Sequence, residues 1–190
     1  MYKKNIKMST FILQEEFEKL GLEYIIKKQI PYVFVAQEYN QNFEKVLKSI
    51  KKACLEPKIN VLSVANLSGQ GSIWQEVLES IKHSDLGISD MSESEKGSYT
   101  NQNVTLETGM LLAQDKPVLF ISTDVGKSIQ RHTDLRDQRW IQYSLENLPE
   151  FEKEIQKHIF TEIKRKKIKA VKRILTKKIF KTQLSGKIIH

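Results

Sequence analysis

The sequence predicts an α/β protein with a flavodoxin-like or Rossmann-like, mainly parallel sheet of five strands and helices on both faces. Short apolar runs with β-branched and aromatic residues alternate along the chain with segments whose apolar residues recur every three or four positions. The stretch 84–122 contains a complete strand–loop–helix–strand unit, which is a right-handed parallel crossover. Alternation of this kind favours a parallel sheet that is buried on both faces.

The predicted elements follow one another regularly. Apolar runs predict five strands, at 31–36, 59–64, 86–90, 118–121 and 139–143. Helical periodicity predicts helices at 10–28, 42–55 and 73–83, a helix from Asn101 or Asn103 to Lys116-Pro117, and a helical region from 146 onward. We therefore divide the chain into an N-terminal helical segment (1–30), an α/β domain (31–145) and a C-terminal helical region with a basic tail (146–190).

Composition indicates an ordinary globular chain. Its 190 residues, of which 39% are hydrophobic, are enough for one sizeable core. No run approaches the roughly 18 apolar residues of a membrane span, and the basic start lacks the apolar core of a secretory signal. The single cysteine, Cys54, excludes an internal disulfide and is expected in the core. These features predict a cytoplasmic protein.

The positive charge lies in the tail. The formal net charge is +8, but from Lys164 to the end there are 11 Lys/Arg and no Asp/Glu, which leaves −3 for residues 1–163. Apolar residues continue through this stretch at helical spacing, so it can form a basic amphipathic helix. Such a helix can lie solvated against the domain, or it can contact nucleic acid, an anionic membrane or a protein partner.

The stretch 84–122 also places two carboxylates where chemistry is expected. Asp90 ends a strand, and groups at the carboxyl ends of parallel strands face the ligand crevice. Glu107 lies about one turn inside its helix if Asn103 is the N-cap, where the helix dipole favours the ionised form. An ionised carboxylate can stabilise or attack the oxocarbenium-like centre of an N-glycosidic bond. The alternative is that Glu107 merely favours the start of its helix and Asp90 merely ends its strand.

A set of motifs resembles the nucleoside 2-deoxyribosyltransferase-like superfamily, and most closely its TIR-like predicted nucleotide-binding branch. Those proteins show "I-x-x-S/A-D-x-x-I-x-D", then "N-x-N-V-x-x-E-x-G", then "G-K-P-V". This chain matches with Ile81, Ser84, Asp85, Ile88, Asp90, Asn101, Asn103, Val104, Glu107, Gly109, Lys116, Pro117 and Val118. The late segment 134–143 resembles the branch's "D-L-x-x-x-R-x-I-x-Y". The resemblance covers about residues 31–145.

The resemblance implies a nucleotide-binding domain in which Glu107 is the nucleophilic glutamate and Asp90 the strand-end aspartate. Asn101 takes the polar position six residues before the glutamate. True deoxyribosyltransferases have an aspartate there, and the asparagine counts against transfer of deoxyribose between bases. Members of the branch are common in bacterial defence systems. They include transferases, nucleotide or NAD glycohydrolases and binding modules.

Other residues are weaker candidates for binding the nucleotide. Gln37 and Tyr39 follow the first strand and are expected to face Asp90 across the crevice. The backbone of Ser68 and Gly69 can approach a phosphate, although GQGSIW matches neither a dinucleotide fingerprint nor a P-loop, and an ordinary turn is the simpler interpretation. Trp74 can stack on a base or pack in a core or interface. The four histidines lack zinc spacing, so we expect no metal and no cofactor.

The main functional hypothesis is an N-glycosidase that hydrolyses a nucleoside, nucleotide or NAD and is homo-oligomeric. A non-catalytic nucleotide-sensing or oligomerisation module is the alternative. A nucleoside 2-deoxyribosyltransferase is the third hypothesis.

Overall fold

The structure, a computed structural model, describes residues 30–56, 58–64, 72–94, 97 and 99–184, without the side chains of 167 and 169–184. The helix predicted at 10–28 and the turn residues Ser68 and Gly69 lie outside these residues. The described residues from Pro31 onward belong to one compact unit.

The centre of this unit is a five-stranded sheet in which every neighbouring pair is parallel. The strands are β1 (Tyr32–Ala36), β2 (Asn60–Ser63), β3 (Leu86–Asp90), β4 (Val118–Ser122) and β5 (Trp140–Gln142). They lie in the order β2-β1-β3-β4-β5, which is the flavodoxin-like order. The predicted fold class is therefore confirmed, and each observed strand falls within or next to its predicted run.

Five α-helices connect or follow the strands in the described part of the chain. They are α1 (Gln41–Leu55), α2 (Ile73–His83), α3 (Gln102–Ala113), α4 (Val125–Arg131) and α5 (Leu148–Leu184), and a 3₁₀ turn spans Thr133–Leu135. The sequence pattern does not predict α4, which has only seven residues. Its start is marked by Asp124, whose Oδ1 accepts from the amide of Lys127 at 3.0 Å. Among the described helices, none has an apolar stretch long enough to cross a bilayer.

Side chains alternate between two apolar layers, one on each face of the sheet. One layer joins the sheet to α1 and α5 through residues that include Val46, Ile50, Phe151, Ile155 and Ile159. The other layer joins it to α2 and α3 through residues that include Val77, Ile81, Val104 and Leu111. Cys54 is buried in the first layer, as predicted. The strands β3 and β4 are buried along their whole length because helices cover both of their faces.

The helix α3 packs on the central strand with Leu111 over Gly87. A Cβ atom added at Gly87 would stand 2.5 Å from Leu111 Cδ1, so Leu111 fills the space that a side chain at this position would need. Two residues further along β3, the hydroxyl of Ser89 is hydrogen-bonded to the hydroxyl of Thr108 in α3, at 2.5 Å. Together these contacts fix the height and rotation of α3 on the sheet.

Candidate active site at the carboxyl edge of the sheet

The strands β1 and β3 are neighbours whose connections leave toward opposite faces of the sheet. The chain after β1 enters α1, while the chain after β3 enters α3 on the other face. Ala36 of β1 pairs in register with Ser89 of β3, so the loops 37–40 and 91–101 begin side by side. This is the topological switch point of the fold, where a crevice for a ligand is expected.

Asp90 is buried at the end of β3, with 2% of its surface exposed. Its Oδ2 accepts from the Tyr143 hydroxyl at 2.8 Å, and its Oδ1 accepts from the amide of Ser92 at 3.1 Å. Burial raises the pKa of Asp90 to about 6, and the nearby charge of Glu38 acts in the same direction, while the donors from Ser92 and Tyr143 oppose the rise. Asp90 therefore changes its protonation state close to neutral pH.

Glu107 is also buried, on the side of α3 that faces the sheet, with 5% of its surface exposed. It lies next to Thr108, whose hydroxyl contacts Ser89, and so beside the last residues of β3. Within the described residues, no hydrogen bond or ion pair reaches its carboxyl group. Burial raises the pKa of Glu107 to about 7. The carboxyl is therefore buried rather than presented to water, and this burial opposes the ionised form that a position near the helix start favours.

Asp90 and Glu107 reach the carboxyl edge from opposite faces of the sheet. Ser89 points toward α3, so the next residue, Asp90, points toward the face where Tyr143 packs with α1 and α5. No hydrogen bond joins the two carboxyl groups in the described part of the chain. A ligand that uses both must therefore lie across the end of β3.

Asn101 is the N-cap of α3, and its Oδ1 accepts from the amide of Asn103 at 2.9 Å. Of the two asparagines considered from the sequence, Asn101 is therefore the one that opens the helix. Asn101 is half-buried at the helix start and Asn103 is exposed. With Asn101 as the cap, Glu107 lies about a turn and a half inside α3.

The remaining predicted residues differ in their exposure. Gln37 is half-buried, and its Nε2 donates to the carbonyl of Phe43 at 3.3 Å. Tyr39 is 80% exposed and Trp74 is 41% exposed. Neither aromatic ring is thus committed to the apolar core, and both remain available to a ligand or partner.

Two further residues, which the sequence motifs do not single out as site residues, belong to this edge. Glu38 accepts from the Ser94 hydroxyl at 2.8 Å, which connects the loop after β1 to the loop after β3. Tyr143 orients Asp90, and its hydroxyl also lies 3.2 Å from Ser92 Oγ. Burial and the Asp90 carboxylate raise the pKa of Tyr143, which keeps the phenol protonated and able to donate. Tyr143 could have been found from the sequence, because it is the last residue of the segment 134–143 that resembles the family motif.

No protein-family model matches the chain, and no curated protein sequence matches it. Solved structures of similar fold include a 2-deoxyribosyltransferase from Leishmania mexicana, 19% identical, over 50% of this chain and 65% of that enzyme, with a TM-score of 0.44. A CMP N-glycosidase from Clostridium botulinum is 19% identical, over 65% of this chain and 97% of that one, with a TM-score of 0.46. A phosphorylated cyanobacterial phytochrome response regulator is 16% identical, over 67% of this chain and 90% of that one, with a TM-score of 0.45.

All three TM-scores lie below 0.5, and these similarities assign no function to this chain. The chain spans less than two thirds of the length of the Leishmania enzyme. Deoxyribosyltransferase-like proteins, the family that the sequence resembles, are thus among the structures of similar fold. Assignment to the TIR-like branch stays a prediction from the sequence motifs.

The chemistry that the edge can support follows from its side chains. Glu107 and Asp90 both change protonation near neutral pH, so each can be a carboxylate or a carboxylic acid under working conditions. Glu38, Ser92, Ser94 and Asn101 add short polar groups around them. Among the described residues, no group of three or more His, Cys, Asp or Glu side chains is arranged to hold a metal ion. Acid–base or nucleophilic carboxylate chemistry fits this set of groups best.

Proposed function

We propose that this chain is an N-glycosidase that hydrolyses the N-glycosidic bond of a nucleoside, a nucleotide or NAD. The observation that supports this most strongly is the Glu107 carboxyl, which is buried beside the end of β3 and has no internal hydrogen bond or ion pair within the described residues. A buried acid without a structural partner lowers the stability of the fold when it ionises, so a functional role explains its presence.

In the proposed reaction, the Glu107 carboxylate attacks or stabilises the anomeric carbon as its bond to the base nitrogen breaks. The bonding electron pair leaves with the base, which takes up a proton. Water then attacks the anomeric carbon and displaces the Glu107 carboxylate where that had bonded, and the proton that the water loses replaces the one given to the base, so that free sugar and free base are released. Asp90 and Asn101 position the sugar, and Asp90, with a pKa of about 6, can also supply the proton to the departing base.

Two alternatives remain within the same crevice. A nucleotide-sensing module would bind the ligand without releasing its base. A 2-deoxyribosyltransferase would pass the sugar to a second base, and Asn101 in place of the family's aspartate speaks against it. Further parts of the proposal are a cytoplasmic location, a role in bacterial defence, a homo-oligomeric state, and a tail that contacts nucleic acid, an anionic membrane or a protein partner.

The decisive experiment incubates the protein with NAD, ribo- and deoxyribonucleosides and their monophosphates, and measures free base by chromatography. Glu107→Gln should remain folded, because the change is nearly isosteric, and should lower base release at least about a hundredfold by removing the carboxylate. The matched control is Glu44→Gln, which changes an exposed glutamate in the first turn of α1.

Near-wild-type turnover in folded Glu107→Gln would reject the assignment of Glu107. Binding without base release would favour the sensing module. Appearance of a new nucleoside when a second base is added would favour the transferase.

A further inference from the structure

The four residues after β1 contain an unusual concentration of unpaired polar atoms. Three buried side-chain atoms of this loop have no hydrogen-bond partner in the described part of the chain: Gln37 Oε1, Glu38 Oε2 and Asn40 Nδ2. Leaving such atoms unpaired in a folded protein is unfavourable, and native structures contain few. Their clustering in one loop, with no partner among the described residues, points to a bound ligand as the partner.

The other polar atom of each of these side chains makes a hydrogen bond within the chain, and this bond fixes the position of the unpaired atom. Gln37 donates through Nε2 to Phe43, Glu38 accepts through Oε1 from Ser94, and Asn40 accepts through Oδ1 from the first amides of α1. The three side chains are therefore held in place before any ligand arrives. This arrangement is a preorganised site rather than a mobile loop surface.

The loop lies at the switch point, next to the proposed reacting groups. Ala36 pairs with Ser89, so Gln37 follows at the level of Asp90, and the charge of Glu38 raises the pKa of Asp90. The hydrogen bond between Glu38 and Ser94 spans the two loops that border the crevice. Residues 37–40 therefore border the crevice, and their unpaired atoms lie directly beneath its surface.

The unpaired atoms specify the chemistry of that ligand. Gln37 Oε1 and Glu38 Oε2 are acceptors and need two donors, while Asn40 Nδ2 is a donor and needs an acceptor. Two adjacent hydroxyl groups satisfy this set, because each hydroxyl both donates and accepts. A phosphate group offers only acceptors when fully ionised, and the neighbouring Glu38 and Asp90 carboxyls would repel it.

We propose that residues 37–40 bind the vicinal 2′- and 3′-hydroxyl pair of a ribosyl group, with Glu38 as the residue that determines specificity for ribose over 2′-deoxyribose. The inference rests on the proposed function for the class of ligand and adds the identity of its sugar. A site built around a hydroxyl rejects the analogue that lacks it, because a buried acceptor is then left unpaired.

The test measures binding in the Glu107→Gln protein, so that turnover does not interfere. Adenosine, guanosine, cytidine and uridine are each compared with their 2′-deoxy counterparts by calorimetry. We expect at least one ribonucleoside to bind roughly a hundredfold more tightly than its deoxy partner. Equal affinities within every pair, or no binding of any of the eight compounds, would overturn the proposal.

A second variant separates recognition from general damage to the site. Glu38→Ala should weaken binding of the ribonucleoside about tenfold or more and leave the deoxynucleoside nearly unchanged, so that the ratio of the two affinities collapses. Glu44→Ala, an exposed glutamate of α1, is the matched control and should keep the ratio. If Glu38→Ala lowers both affinities equally, Glu38 is only structural and the proposal fails.

The outcomes also distinguish this inference from the proposed function. A ribose preference in binding, together with absence of base release by the wild-type chain, would reject the enzyme and keep the diol site. Base release from ribo- and deoxyribonucleosides at equal rates and affinities would keep the enzyme and reject the diol site.

Discussion

At the scale of single residues, burial rather than charge pairing controls the acids of this edge. Glu107 and Asp90 both have a raised pKa because the fold removes them from water, and for Glu107 burial is the one cause that acts among the described residues. Each acid is therefore neutral in the folded chain at a pH where it would be ionised in the unfolded chain. Stability must depend on pH as a consequence.

The first prediction concerns this pH dependence for Glu107. Its pKa is raised from 4.5 to about 7, so its favourable contribution is complete below pH 4.5 and is lost as the pH rises through 7. The wild-type chain should lose about 3 kcal/mol of unfolding free energy relative to Glu107→Gln over this interval. Urea unfolding of both proteins at pH 4.5, 6 and 8 measures the difference, with Glu44→Gln as control. A constant difference across the three pH values would contradict the buried, unpaired state of Glu107.

The second prediction concerns the phenol that orients Asp90. Tyr143→Phe removes a donor to the buried carboxylate, so the pKa of Asp90 should rise above 6, and the chain should lose about 1–3 kcal/mol of stability near neutral pH. Carboxyl-carbon NMR titration reports the pKa directly. Tyr39→Phe serves as the matched control because Tyr39 is 80% exposed. An unchanged Asp90 titration in Tyr143→Phe would show that the hydrogen bond does not hold the carboxylate.

The sequence was sufficient to propose Asp90, Glu107 and Asn101, because strand ends and helix starts can be located from local pattern. It was not sufficient to identify Glu38 as a residue of the site, or to predict toward which face of the sheet the Asp90 side chain points. Which face a strand-end side chain occupies depends on the alternation of the whole strand and on the helices that cover it. The pairing of Asp90 with Tyr143 joins residues 53 positions apart and is visible only once β5 is docked beside β4.

At the scale of elements, the buried strands and long helices were predictable and the short helix was not. The strand β4 begins with a continuous apolar run, Val118 to Ile121, and α1 repeats its apolar residues with helical period, so local pattern and tertiary burial agree. The helix α4 has only seven residues, which is too few turns for a helical periodicity to be recognised. It also contains Gly126, a residue that disfavours helix. Its position depends instead on contacts such as that of Ser128 with Ser122.

The helix α5 provides the third prediction, because it passes from the core into the basic tail. Ile159 is fully buried, whereas Ile168, further along the same helix, is 47% exposed. Ile159→Ala should cost about 2–5 kcal/mol by leaving a cavity between α5 and the sheet. Ile168→Ala should change stability by less than about 0.5 kcal/mol. Chemical denaturation of the two variants provides the comparison, and equal losses would show that the core continues to Ile168.

At the scale of the whole molecule, the sheet depends on α5 for closure of one apolar layer. Phe151, Ile155, Ile159 and Ile163 pack in that layer, and Lys166 pairs with Asp85 at 2.6 Å. The basic residues of α5 lie mostly in a different part of the helix from the residues that pack in the core. Seven of the 11 basic residues that follow Glu162 come after residue 167, beyond these contacts.

The fourth prediction uses this separation between core and charge. A chain ending at residue 167 should keep the thermal unfolding transition of the full chain, because the packing residues of α5 remain. It should elute from a heparin column at lower salt, because fewer cationic side chains displace counterions. A chain ending at Asn147 should not fold, since it lacks α5 altogether. Identical elution of the full and 167-residue chains would show that the tail charges do not engage a polyanion.

The length of α5 separates the basic residues near its end from the charges around the sheet, which the net charge alone does not show. At about 1.5 Å per residue, 37 helical residues extend for roughly 55 Å, and about 30 Å of that length follows Ile163. That distance exceeds the screening length of about 8 Å in physiological salt, so the basic residues along the end of α5 and the charges around the sheet act independently of one another. A polyanionic surface should then attract α5 by its basic end, and the chain should be retained on a cation exchanger through that end.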